Sequence, residues 1–172
     1  MATKQDALAA DFYQNYIKLS PDDNVLEAIK RNTKNFRKLL KKVPRKKVDK
    51  AYAEGKWTIK ELLQHIIDAE RVFSYRAITF ARRDSASLPS FDENSWAANS
   101  MAAQRDWKEM TEEFKLLRAA TERMFASFDD SQLRAIGTAS NKEINVLALG
   151  YIISGHVEHH INIIKERYLK KD

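Results

Sequence analysis

Four long stretches of this chain carry apolar residues at alternating spacings of three and four, and this pattern admits little other than a bundle of amphipathic helices. The first stretch runs from about Asp23 to Val43, with Leu26, Ile29, Phe36, Leu40 and Val43 on one stripe and Thr33 in its gap; Pro44 ends it. The second opens on Thr58-Ile59-Lys60-Glu61, where a threonine cap and a glutamate three residues on can each satisfy a free backbone donor. It continues to about Arg83 behind Ile59, Leu62, Leu63, Ile66, Phe73, Ala77 and Phe80, with Glu70 an unexpected acid on that face. The third, about Asn99 to Phe128, places Trp107, Met110, Phe114, Leu117, Met124 and Phe128 on a seam interrupted by Thr121. The fourth runs from about Asn145 to Lys170.

Between them, Asp84 to Asn94 reads as a loop, and Asp129 to Lys142 as a connection with a short helical turn around Ser131 to Ile136. Ahead of the four, Phe12, Tyr13, Tyr16 and Ile17 form a short amphipathic segment closed by Pro21 that suits one end of the bundle. The expectation is an all-α four-helix bundle formed as a single domain over residues 1–172. That length suits one hydrophobic core. No apolar run reaches the roughly 18 residues of a membrane span, and the first residues lack a signal-like run. A cytoplasmic location without membrane contact is therefore expected.

The chain has no cysteine, so disulfides, thiolate ligands and a cysteine nucleophile are excluded together. Any metal must be held by histidine and carboxylate. His156 and His160 stand four apart among Leu149, Ile152, Ile153, Ile163 and Ile164, so both imidazoles face the bundle interior about one turn apart. Burying them unpartnered would cost about 1–3 kcal/mol each, which calls for hydrogen bonds or an ion. His65, on the flank of the second helix's apolar face, can supply a third ligand from across the bundle; His159 lies to one side. Three imidazoles leave positions open for water or substrate, as in catalytic sites. Zinc is the first expectation for such a divalent site, and nickel, iron and manganese also suit imidazole. Gly150 and Gly155 inside one helix each cost about 1 kcal/mol relative to alanine, so close helix approach or room for a ligand is implied.

Asp68 is a candidate partner for an imidazole or a solvated carboxylate, and Glu70 a base or one half of an ion pair with Arg76 or Arg167. Phe12, Tyr13, Tyr16, Trp57, Phe91 and Trp96 are candidates to line a pocket over the histidines or simply to pack. No catalytic or cofactor-binding residue beyond the histidines is assigned.

Two segments carry a family resemblance. Gly55-Lys56-Trp57-Thr58-Ile59-Lys60-Glu61 leads into His65-Ile66-Ile67-Asp68-Ala69-Glu70-Arg71, and Ser154-Gly155-His156-Val157-Glu158-His159-His160 lies near the end of the chain. Both resemble the DinB-like or YfiT-like family of metal-dependent enzymes, and the likeness spans nearly the whole chain. It implies an up-down-down-up four-helix bundle with a metal held by one histidine of the second helix and two of the fourth, which correspond to His65, His156 and His160. It also implies a small-molecule substrate and either hydrolysis or S-transfer from a low-molecular-weight thiol cosubstrate such as bacillithiol, mycothiol or glutathione. No residue here selects a thiol. Bundles of this kind often pair, and a homodimer is expected.

The formal charge of +6 is concentrated: eleven of the 30 basic residues lie between Lys30 and Lys50, against the single acid Asp49. A nucleic-acid-binding or protein-interaction module without catalysis is the rival reading. The stretch has no interleaved aromatics or reading motif, so a solvated helix face is the simpler account and nucleic acid an unlikely partner.

Overall fold

The computed structural model describes residues 2–170; Met1, Lys171 and Asp172, included in the expected single domain, lie outside the described residues. Among the described residues seven α-helices are formed: α1 (Asp11–Leu19), α2 (Val25–Lys42), α3 (Ile59–Ala81), α4 (Glu93–Asn99), α5 (Trp107–Ala126), α6 (Asp130–Leu133) and α7 (Val146–Ile163). The long helices α2, α3, α5 and α7 make the bundle. Cross-helix pairs fix its topology. Val25 meets Gly150, Ala28 meets Ser154 and Asn32 meets Glu158, so α2 and α7 run parallel. Gln64 reaches Arg105 just before α5, and Glu70 reaches Thr121, so α3 and α5 also run parallel. Thr33 bonds Glu122 while Phe36 packs on Phe114, which makes α2 and α5 antiparallel, as His65 beside His156 and Glu70 beside Ile153's partner Arg118 do for α3 and α7. The order is up-down-down-up, as expected.

The caps explain where helices begin. The Thr58 hydroxyl accepts from the Glu61 N–H at 3.2 Å, and the Glu61 carboxylate accepts from the Thr58 N–H at 2.7 Å. Asn24 and Asn145 cap α2 and α7. α7 ends in a π-helical turn, Ile164–Tyr168. The two threonines that interrupt the apolar seams each bond a glutamate on a neighbouring helix: Thr33 to Glu122 and Thr121 to Glu70, both at 2.7 Å.

Three boundaries differ from the sequence expectation. The third bundle helix starts at Trp107 rather than Asn99, because Asp106 accepts from the N–H groups of Lys108 and Glu109 and Met101 is left-handed, at φ 54°. The segment expected as loop and helix start instead holds α4, capped by Asp92. The connection after Asp129 contains α6 and a hairpin of β1 (Ile136–Ala139) with β2 (Lys142–Asn145). Its turn residues Ser140 and Asn141 both have positive φ, the geometry of a two-residue hairpin turn.

A buried ion pair spans three helices beneath the site. Arg118 Nε lies 2.6 Å from Glu70 Oε2, and its guanidinium donates to the Ile153 carbonyl at 3.2 Å. Arg118 is fully buried and Glu70 2% exposed. Burial pushes the Glu70 carboxyl up, and Arg118 and the Thr121 hydroxyl pull it back. Arg76 and Arg167, the partners expected for Glu70, are not the residues it meets.

The helix α1 lies on α7 at a glycine. A Cβ on Gly155 would sit 1.8 Å from the Tyr16 carbonyl oxygen, so backbone meets backbone there. Close approach, one of the two reasons expected for this glycine, is the one observed. Gly155→Ala would ordinarily add about 1 kcal/mol of helix propensity. Here the contact is with main chain that cannot rotate away, and overpacking of this kind costs about 1–3 kcal/mol. The variant is expected to be less stable in urea titration; a gain in stability would contradict the tight α1–α7 contact.

Candidate metal centre

His65 lies in the second turn of α3, set by the Thr58 cap, and its ring packs against Trp57 at 4.8 Å between centroids. Trp57 is itself held, since its carbonyl accepts from the Tyr168 hydroxyl at 2.5 Å. His156 and His160 stand one turn apart on α7 and are 6% and 7% exposed, while His159 is exposed on the flank. Antiparallel packing of α3 on α7 brings the three together. His156 Nε2 lies 2.9 Å from His65 Nε2 and 3.1 Å from His160 Nε2. Among the described residues these three form the group able to ligate an ion, with ligand nitrogens all within 4.8 Å of one another.

Hydrogen bonding alone cannot satisfy this cluster. A ring nitrogen offers one in-plane direction, as donor or as acceptor, so His156 Nε2 can satisfy one of its two neighbours and not both. His160 Nδ1 is also buried without a hydrogen-bond partner among the described residues. A tetrahedral ion with bonds of about 2.0–2.1 Å holds nitrogens roughly 3.3 Å apart, a few tenths of an ångström from the two shorter separations. The donor set therefore fits a divalent cation.

The imidazoles are neutral at pH 7. Burial lowers the His65 pKa to about 4, with the Glu93 carboxylate partly opposing and His159 adding to the shift. Burial, and then the neighbouring histidines, take His156 and His160 well below the ordinary value; Arg118 adds to the effect at His156. Three lone pairs thus converge without competition from protons.

The histidines line a cleft of 460 Å³, within the roughly 300–1,000 Å³ of small-molecule sites. Phe12, Tyr13 and Tyr16 of α1 form one wall, with the Tyr16 ring 5.5 Å from that of His156. His65, Ala69, Phe73 and Arg76 follow one another along a single stripe of α3. Ser90, Phe91 and Glu93 close the third side from the segment after α3. Among the described residues Glu93 is the one carboxylate lining the cleft, and its charge acts on both His65 and Tyr16.

Known proteins share this architecture. A family model described as the DinB superfamily matches residues 28–164. This chain belongs to the DinB superfamily. A protein of Oceanobacillus iheyensis named "putative metal-dependent hydrolase" is 30% identical over 128 residues, covering 69% of this DinB chain and 68% of its own length. YfiT from Bacillus subtilis, described as a probable metal-dependent hydrolase with an unusual four-helix bundle topology, superposes with a TM-score of 0.71. That match covers 92% of this chain and 87% of YfiT at 14% identity, and so bears on the fold.

Within this DinB-superfamily chain, His65, His156 and His160 come together and His159 stays outside, as the helix positions imply. Of the six aromatics considered for the pocket, five line it; Trp96 instead packs on Phe91 at 5.0 Å beside a neighbouring groove. Asp68 bonds Gln64 at 2.9 Å and meets Arg71 at 3.5 Å, away from the imidazoles. Glu93 and Arg76 carry the cleft's charge and were not singled out for it by the sequence. The aspartate cap and the start of α4 at Asp92-Glu93 were the available signal for the first, and the α3 stripe through His65 for the second.

Proposed function

We propose that this chain is a metal-dependent hydrolase of a small-molecule substrate, with His65, His156 and His160 holding one divalent ion, zinc or nickel before iron or manganese. The observation that carries the reading is the convergence of three neutral imidazole nitrogens in an open cleft of substrate size. The names of the Oceanobacillus and Bacillus relatives agree with it. A divalent ion there would supply a Lewis acid that makes water, or a thiol in its place, a nucleophile near neutral pH. Glu93, the lining carboxylate, accepts the proton that the nucleophile gives up. Tyr16, packed edge-on against His156, and Trp57, packed against His65, hold the rings in place and keep bulk water from that side.

Elemental analysis of untagged protein is expected to find one divalent ion per chain. A panel of esters, amides and phosphate esters should then yield a hydrolysed substrate, with turnover removed by EDTA and restored by zinc or nickel. Glu93→Gln should keep the ion and lower kcat by about 10²–10⁴-fold. Consumption of a low-molecular-weight thiol with an electrophile, and hydrolysis of nothing, would replace hydrolysis by thiol transfer. Failure to take up zinc or nickel at all would remove both readings.

A further inference from the structure

We propose that Arg76 is the anion-recognition residue of this cleft and that the molecule bound there is a small carboxylate with an apolar remainder. The proposal rests on the cleft being the substrate site, yet its support is independent of any ion.

Arg76 is 2% exposed and lines the cleft. Its guanidinium donates to the Pro89 carbonyl at 2.6 Å, to Ser140 Oγ at 3.2 Å and to the Tyr13 hydroxyl at 3.4 Å. All three acceptors are neutral. Nε is buried with no acceptor among the described residues, and a guanidinium carries five N–H donors, so donor capacity is left over. No aspartate or glutamate among the described residues pairs with it. Arg118, the other large buried arginine, has Glu70 at 2.6 Å. An arginine cannot shed its proton, so the charge of Arg76 stays in the interior and favours an incoming anion.

Its position suits that task. Arg76 stands eleven residues after His65 on the same stripe of α3, about 16 Å further along the helix, so the two lie toward opposite ends of the one cleft they both line. Pro89 and Ser140, from two different connections, hold the guanidinium before any ligand arrives, which lowers the ordering cost of binding. Among the described residues no lysine or second arginine lines the cleft and the Glu93 carboxylate does, so a single cation is on offer and a monoanion held at Arg76 suits it better than a phosphate dianion. The remainder of the ligand meets Phe12, Tyr13, Phe73 and Phe91. Beyond Arg76 and Phe91 the surface continues as an apolar groove formed by Val72, Tyr75, Leu88 and Trp96.

The test uses phenylacetate, its neutral isostere phenylacetamide and phenylphosphonate, titrated calorimetrically into wild type, Arg76→Gln, Arg76→Lys and His160→Ala, each with and without zinc. Phenylacetate is expected to bind wild type at least tenfold more tightly than the amide. That preference should vanish in Arg76→Gln, partly return in Arg76→Lys, and persist in metal-free wild type and in His160→Ala. Persistence there, with no hydrolysis found, would sink the hydrolase reading and leave this proposal standing. Equal binding of acid and amide by wild type overturns it even if the arginine variants do not fold. A preference that needs zinc and survives Arg76→Gln overturns it by assigning the carboxylate to the ion, and tighter binding of phenylphosphonate overturns the carboxylate class.

Discussion

His156→Ala protein is expected to lose the stabilisation that zinc gives wild type and, without metal, to be less sensitive to acid. His156 Nε2 is the nitrogen within 3.1 Å of both other ligands, so its loss opens the middle of the set. An ion at about a thousand times its dissociation constant stabilises the folded state by about 4 kcal/mol. For a chain of this size that is roughly 8–16 °C in melting temperature. Removing even an outer partner of a ligand costs about 10–100-fold in affinity, and loss of the central ligand should exceed that. The acid effect has a definite sign. The folded-state pKa values are depressed, to about 4 for His65 and well below the ordinary histidine value for the α7 pair, so as pH falls below about 6.5 the unfolded chain takes up protons first. Metal-free wild type therefore loses stability from about pH 6.5 down to the folded pKa, by up to about 1.4 kcal/mol per histidine for each pH unit. His156→Ala removes one of these contributions. Melting at pH 7.5 with and without zinc, and a pH series in EDTA, measure both effects, with exposed His159→Ala as control. Equal zinc-induced shifts in His156→Ala and wild type would rule out this ligand set.

Arg118→Leu is expected to destabilise the protein by about 3–5 kcal/mol, because it leaves the Glu70 carboxylate buried without its counter-charge. The double variant Glu70→Leu/Arg118→Leu should recover most of that loss, since replacing both members of a buried pair by apolar residues is often neutral or better. Urea unfolding of the two single variants and the double gives the coupling directly. Additive losses would mean that the two side chains do not act as a pair. Because the pair joins α3, α5 and the Ile153 carbonyl of α7, the single variant should also weaken zinc binding by loosening the helices that carry the histidines.

The bundle and the histidines were legible because both depend on spacing within one helix. Apolar residues every three or four positions give the four helices, and residues four apart share a face wherever the helix packs. Contacts between helices were less legible. Arg76 follows Glu70 by six residues, which puts it well round the helix, so helical geometry alone argued against that pairing. Arg118 could be found only once α3 and α5 were known to lie side by side. The start of α5 was misplaced because Ala102 and Ala103 favour helix, whereas the Asp106 side chain stops extension in that direction by capping Lys108 and Glu109. Glu93 was hidden for a related reason. It belongs to a short helix whose value to the site comes from where the chain crosses the bundle, and a polar stretch of sequence does not disclose its route.

That route follows from the parallel pairing of α3 and α5. Two helices that run the same way cannot be joined by a tight hairpin, so residues 82–106 must travel back along a helix about 34 Å long before the next can begin. An up-and-down bundle joined by short turns has no such segment. Here the returning chain passes the mouth of the cleft and contributes Ser90, Phe91 and Glu93, while the three histidines stay on α3 and α7. The histidine cluster and one wall of the cleft thus belong to separate lengths of chain, while Arg76 shares α3 with His65. Substitutions or insertions in the returning segment would reshape that wall while the helices that carry the histidines keep their packing, so that one scaffold can present differently shaped clefts.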